Sequence, residues 1–251
     1  MTPETRAIVK RWAILLSLLT MVLIGTLVYV FLREIFKWQR LHAENVARAK
    51  LGGVDILFLG DSHMYAWREA GAQIWKERYE PRAALNFGIP GDNTRQIQWR
   101  ITDGGEMEGL DPKICVLHVG LNNVVIGEEA PAITPGILKN VETLRQMRPK
   151  MKIVLMGIIP RDREPDGPRN VKIKAINAEI SKLDDGVNIQ YVDIGPKLVD
   201  AAGRLPYELI DSNDHMTPAA YKIWADAIDP YLVLPAEAKE PASKAAEGSI
   251  P

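Results

Sequence analysis

The chain has a single cysteine among its 251 residues. One thiol forms no internal disulfide and supplies no multi-thiolate metal site. Cys115 lies inside the apolar run 114–117 and reads as a small core residue. An excess of either charge is also lacking, since 31 Lys and Arg face 32 Asp and Glu for a formal net charge of −1. That balance removes the electrostatic case for nucleic acid as a partner. There is no Gly-rich loop ending in Gly-Lys-Ser/Thr and no His-Glu-x-x-His pair, so neither a nucleotide cofactor nor a metal is implied. No internal repeat is visible. What is present, 47% hydrophobic and 25% charged residues, is the composition of a globular protein.

Residues 12–32 contain no charge, and the run is long enough to cross a bilayer as a helix. It continues into Phe31-Leu32-Arg33-Glu34 without an Ala-x-Ala-like cleavage site, which favours an uncleaved anchor over a signal peptide. Arg6, Lys10 and Arg11 precede the span, while Arg33, Lys37, Arg40, Arg48 and Lys50 follow it. The expected orientation is still an exported domain, because long domains translocate largely regardless of flanking charge. The chain thus divides into an N-terminal tail 1–11, a transmembrane helix 12–32, a stalk 33–53, a folded domain 54–234 and a disordered tail 235–251. The stalk reads as a solvated continuation of the membrane helix, stopped by Gly52-Gly53.

Within the domain, short apolar runs at 54–59, 84–87, 114–119, 153–157 and 189–193 read as strands. Segments 94–101, 134–147, 171–183 and 218–232 carry apolar residues at helical spacing, and Thr134-Pro135 and Thr217-Pro218 look like caps with a first turn. Alternating strands and helices imply an α/β fold, a parallel sheet covered on both faces.

Chemistry in such folds gathers at the carboxyl ends of the strands. The first strand leads into Gly60-Asp61-Ser62. Ser62 is either a helix cap or a nucleophile exposed at a strand end. Further strand ends and loops supply Gly88, Asn122 in Gly120-Leu121-Asn122-Asn123, and His215 in Asp211-Ser212-Asn213-Asp214-His215-Met216. Acyl transfer through serine needs such a set: a hydroxyl, an imidazole to take its proton, and donors for the oxyanion.

With these blocks in this order, the sequence resembles the SGNH (GDSL-type) hydrolases, in the branch of the platelet-activating-factor acetylhydrolase catalytic subunits. The resemblance runs from about residue 54 to about 232 and implies a three-layer α/β/α, flavodoxin-like sandwich with a five-stranded parallel sheet. It implies Ser62 as nucleophile and His215 as general base. It also implies an oxyanion hole formed by the N–H groups of Ser62 and Gly88 with the Asn122 amide.

One departure stands out. The family's Asp-x-x-His block would place a carboxylate at 212, where this chain has Ser212, with Asp211 and Asp214 on either side. Asp211 reaching the imidazole, a backbone carbonyl holding it, and a lapsed site are the three readings. Asp214 is disfavoured, because neighbours in an extended segment point to opposite sides.

His63, His118 and His42 receive no role: the second reads as a core histidine and the third belongs to the stalk. Asp61 is expected to hold its loop through backbone hydrogen bonds. Segment 161–167 reads as a mobile charged loop, and Met64, Tyr65, Trp67 and Trp99 as packing. The expected function is a membrane-anchored carboxylic-ester hydrolase acting on an O-acyl carbohydrate or lipid. A non-catalytic acyl- or glycan-binding module and an O-acyltransferase are the alternatives.

Overall fold

The computed structural model describes residues 2–212 and 215–234; the expected tail from 235 onward lies outside them. Five strands, β1 (Ile56–Gly60), β2 (Ala84–Gly88), β3 (Ile114–His118), β4 (Lys152–Met156) and β5 (Ile189–Val192), form one parallel sheet ordered β2-β1-β3-β4-β5. Every residue of β1 and β3 is buried, so the centre of the sheet is covered on both faces. Unbroken apolar runs such as Ile56-Leu57-Phe58-Leu59 require that burial.

The helices are α1 (Pro3–Leu51), α2 (Ser62–Tyr65), α3 (Ala72–Arg78), α4 (Thr94–Ile101), α5 (Leu121–Val125), α6 (Ala130–Met147), α7 (Pro168–Ile180) and α8 (Pro218–Ile228). Among them, α4 packs on α6, α6 on α7, and α3 on α8. Local chemistry sets their ends. Asn93 and Gln96 close a capping box on α4, and the Thr217 hydroxyl accepts the Ala220 N–H at the start of α8. Pro230 stops α8 short of the expected residue 232, leaving a 3-10 turn over Asp229–Tyr231.

Two boundaries differ from expectation. Helix α6 begins near Pro131, with Pro135 inside it rather than opening it. That proline falls early in the helix, where its missing N–H costs one bond to residue 131. Helix α7 starts at Pro168 and tightens to a 3-10 turn at Ser181–Leu183.

Helix α1 runs 49 residues without a break. Its apolar part, with mean hydropathy 2.5 over an 18-residue window and none of that window buried, is long enough to cross a membrane. It ends where Gly52, at φ 63°, returns its N–H to the Ala49 carbonyl. The stalk is not a solvated spacer. Leu41, Asn45 and Ala49 are buried against the domain, and the Trp38 indole N–H donates to Asp92 Oδ1 at 2.7 Å. His42 Nδ1 lies 2.8 Å from Glu106 Oε1, and the His42 ring lies against both Trp38 and Trp99. These contacts come from turns of α1 whose apolar positions face a real surface, which hydropathy alone does not distinguish from solvent.

Candidate active site

β1 ends at Gly60 because nothing larger fits: a Cβ there would stand 2.4 Å from the His118 carbonyl oxygen. Asp61 follows as the cap of α2, its Oδ1 accepting the His63 N–H at 3.0 Å and its carbonyl accepting the Tyr65 N–H at 2.9 Å. Capping therefore falls to Asp61, as expected of a loop-holding carboxylate. Ser62 opens the helix half-buried, and its hydroxyl takes part in no hydrogen bond among the described residues. The cap reading of Ser62 loses its motive.

The segment after β2 differs from expectation at Gly88. Its N–H donates to the Asn86 side-chain oxygen at 2.8 Å, so it already has a partner and is not a free oxyanion donor. Gly88 is small for another reason, since a Cβ would meet the Tyr65 nitrogen at 2.1 Å where β2 passes under α2. Further along, Gly91 sits exposed in a turn at φ 86°, and its N–H has no hydrogen-bond partner among the described residues. The Asn122 amide donates to the Asp92 carbonyl at 2.8 Å, which fixes Asn122 beside this turn. The neighbouring Asn123 accepts the Thr94 N–H at 3.1 Å and ties α4 to α5.

Asp92 continues inward to Arg100, which is fully buried and bridges Asp92 to Glu106. The same guanidinium donates to the Phe87 carbonyl and, at 3.4 Å, to the Gly60 carbonyl, so it joins the ends of β1 and β2. Burial outweighs the attraction of Arg100 and pushes the Asp92 carboxyl up to about 6.

His215 lies in a loop closed by a bridge between Ile210 and Met216. The Asp211 N–H donates to the His215 carbonyl at 2.8 Å, and Asp211 Oδ1 accepts the His215 backbone N–H at 2.9 Å. This carboxylate thus grips the backbone of residue 215. Arg163 holds the loop from below, donating to the carbonyls of Leu205 at 3.1 Å, Ile210 at 2.8 Å and Asp211 at 2.6 Å. Segment 161–167 is therefore a brace, further pinned by the Asn170 side chain on the N–H groups of Arg161 and Asp162. The His215 ring is exposed and stands 6.1 Å, centre to centre, from that of His63, the residue after the serine. No hydrogen bond joins His215 to Ser62 among the described residues.

Beneath Ser62 lies a group that reading along the chain did not assemble. Asp61 and His118 are fully buried and His63 nearly so. The carboxylate Oδ1 stands 3.3 Å from His118 Nδ1 and 3.7 Å from His63 Nδ1. Burial opposes the Asp61 charge, but the two imidazoles prevail and hold its carboxyl below the usual range. Burial pushes the His63 imidazole down, so that ring is neutral. The available signal was positional: both partners sit at the ends of strands that prove adjacent, with Gly60 opposite His118. Cys115 is buried and its thiol is pushed up to about 12, which leaves it inert. Met64 and Trp67 are fully buried in the core, and Trp99 packs against α1.

A parallel five-stranded α/β sandwich, with a serine after its first strand, an asparagine at the start of α5 and a histidine on a later loop, defines the SGNH class of carboxylic-ester hydrolases. The chain belongs to the GDSL-like Lipase/Acylhydrolase family, whose model matches residues 58–223. It is 31% identical over 185 residues to platelet-activating factor acetylhydrolase IB subunit alpha2 of Gallus gallus, covering 74% of this chain and 79% of that protein. Against the alpha1 subunit of Homo sapiens it is 31% identical over 186 residues, covering 74% and 78%. Among solved structures, a GDSL-like lipase from Bacteroides thetaiotaomicron superposes with TM-score 0.61 at 19% identity, over 78% of this chain and 96% of that one. The psychrotrophic esterase EstA from Pseudoalteromonas, inhibited by monoethylphosphonate, gives TM-score 0.53 at 20% identity over 71% and 98%.

Proposed function

We propose that the protein is a membrane-anchored serine esterase in which Ser62 is the nucleophile and His215 its general base. The carrying observation is that the Ser62 hydroxyl, relieved of capping by Asp61, stands unpartnered at the carboxyl end of β1, with the His215 ring approaching through its neighbour His63. His215 would take the Ser62 proton as the oxygen adds to the ester carbonyl, then return it to the leaving alcohol; water repeats the cycle on the acyl-enzyme. In the apo arrangement the two groups are not yet bonded, and catalytic hydrogen bonds commonly tighten only with substrate in place. The Ser62 N–H and the Asn122 amide serve the oxyanion. In place of Gly88, whose N–H is engaged by Asn86, the unpartnered N–H of Gly91 is the better third donor.

The substrate reading is an ester presented at the membrane face, on a lipid or an envelope glycan. A cleft between α1 and the segment after β2 supports it, lined by apolar Phe31, Trp38 and Ile89 together with charged Glu34 and Lys37, and reaching Gly91. Short acyl groups are favoured by the likeness to the acetylhydrolase subunits. A binding module is the second reading, motivated by Ser212 standing where the orienting carboxylate is expected and by Asp211 holding the backbone of residue 215.

Treating the full chain with a fluorophosphonate and a nitrophenyl acetate tests this. Labelling and turnover that vanish in Ser62→Ala support the esterase, while a folded parent that does neither supports the binding module. Asn122→Ala should lose about 10²–10³ in kcat, and an unchanged rate would remove that residue from the oxyanion hole.

A further inference from the structure

Asp61, His63 and His118 meet at the carboxyl edge between β1 and β3, where the strand order reverses and open α/β sheets place their ligands. Each is more than nine-tenths buried, and one ligand atom from each lies within 4.8 Å of the others. As a hydrogen-bonded cluster this would be poorly made. Among the described residues, Asp61 Oδ2, both ring nitrogens of His63 and Nε2 of His118 have no hydrogen-bond partner, although buried polar atoms in folded proteins almost always do.

The spacing is informative too. An imidazole donating to a carboxylate closes to about 2.7–2.9 Å, yet Asp61 Oδ1 stands 3.3 Å and 3.7 Å from the two imidazole nitrogens. Two ligand atoms sharing one tetrahedral ion at about 2.0–2.1 Å repel each other to about 3.3–3.4 Å. The 3.3 Å separation to His118, which also serves as a long hydrogen bond, matches that edge length, and the 3.7 Å separation to His63 is longer than a hydrogen bond.

We propose that Asp61, His63 and His118 form a site for a zinc-class divalent cation directly beneath Ser62. Two imidazoles and one carboxylate are a zinc donor set with an open fourth position. The Tyr221 hydroxyl donates to the His63 backbone carbonyl at 2.6 Å, and the Trp224 ring stands 5.4 Å from that of His118, so the backbone of one candidate ligand and the ring of another are held in place. The ion would neutralise the buried Asp61 carboxylate and clamp the turn bearing Ser62 to the end of β3. This does not depend on the esterase reading, because the site needs no substrate.

The test is made on the detergent-purified full chain. Metal content is measured by plasma mass spectrometry, and chelator-stripped protein is titrated calorimetrically with Zn²⁺ and, for its visible absorption, with Co²⁺. The expected result is one equivalent of ion, an intense tetrahedral Co²⁺ band and a higher melting temperature with Zn²⁺. His63→Phe and His118→Phe should each weaken uptake by more than about 100-fold, since removing a ligand exceeds the loss from an outer partner. His42→Gln, on α1, should leave it unchanged. If a variant fails to fold, the Co²⁺ spectrum of the parent decides, because nitrogen and oxygen ligands in a tetrahedron give a band that surface binding does not. No saturable uptake by the parent, an octahedral Co²⁺ spectrum, or full uptake in folded His118→Phe would overturn the site.

Discussion

Arg100 shows how one side chain can organise a catalytic edge. Its guanidinium meets Asp92, Glu106 and the carbonyls that end β1 and β2, all out of contact with water. Burial of the Asp92 carboxyl, with a smaller push from the nearby Glu106 charge, outweighs the attraction of Arg100 and raises it to about 6. An unfolded aspartate ionises at about 3.9. Between those values the folded chain keeps a proton that the unfolded chain has released, so Asp92's contribution to stability is full below about pH 4 and is lost as pH rises through about 6. Denaturant titrations of the parent and Asp92→Asn should therefore diverge progressively over that window and run parallel above it. A constant difference from pH 4 to 7 would show that Asp92 is ionised throughout. Nothing in the linear chain announces this network, because Arg100 reads as one more charge on an amphipathic helix.

At the scale of elements, the loop carrying His215 is held by the brace from Arg163 in addition to its own bridge between Ile210 and Met216. Each carbonyl bond from the charged guanidinium is worth about 1.5–3 kcal/mol, so Arg163→Ala should loosen the loop that carries His215 while sparing the sheet. The expected outcome is roughly a tenfold lower kcat and faster amide exchange confined to that loop. Exchange unchanged there would mean that the bridge between Ile210 and Met216 suffices. All five strands were legible in sequence, because parallel strands buried on both faces are written as unbroken apolar runs ended by Gly or a charge. Short α3 and α5 were not, since one or two turns leave too few residues to establish a period. The serine, asparagine and histidine of the proposed site are named from their motifs. The loss of Gly88 as a donor could not be read there, because which acceptor an N–H finds is decided by Asn86 folding back onto its own strand end.

For the whole molecule, α1 is not an inert tether, because Trp38 joins it to Asp92 and Asp92 in turn receives Asn122. Trp38→Ala should free the lower stalk and make trypsin cleavage between Arg40 and Lys50 faster by on the order of tenfold, with a rate equal to the parent's showing that Leu41, Asn45 and Ala49 hold it unaided. The helix is continuous from the apolar span to this contact. From Leu32 to Trp38 it climbs only about 9 Å. Under the proposed anchoring, a span seated in a bilayer would hold the reactive edge at a set height near the headgroups. Which esters are reached then becomes a matter of altitude: bonds lying near that plane come within range, while those sunk among the acyl tails or carried far out on stiff polymers do not.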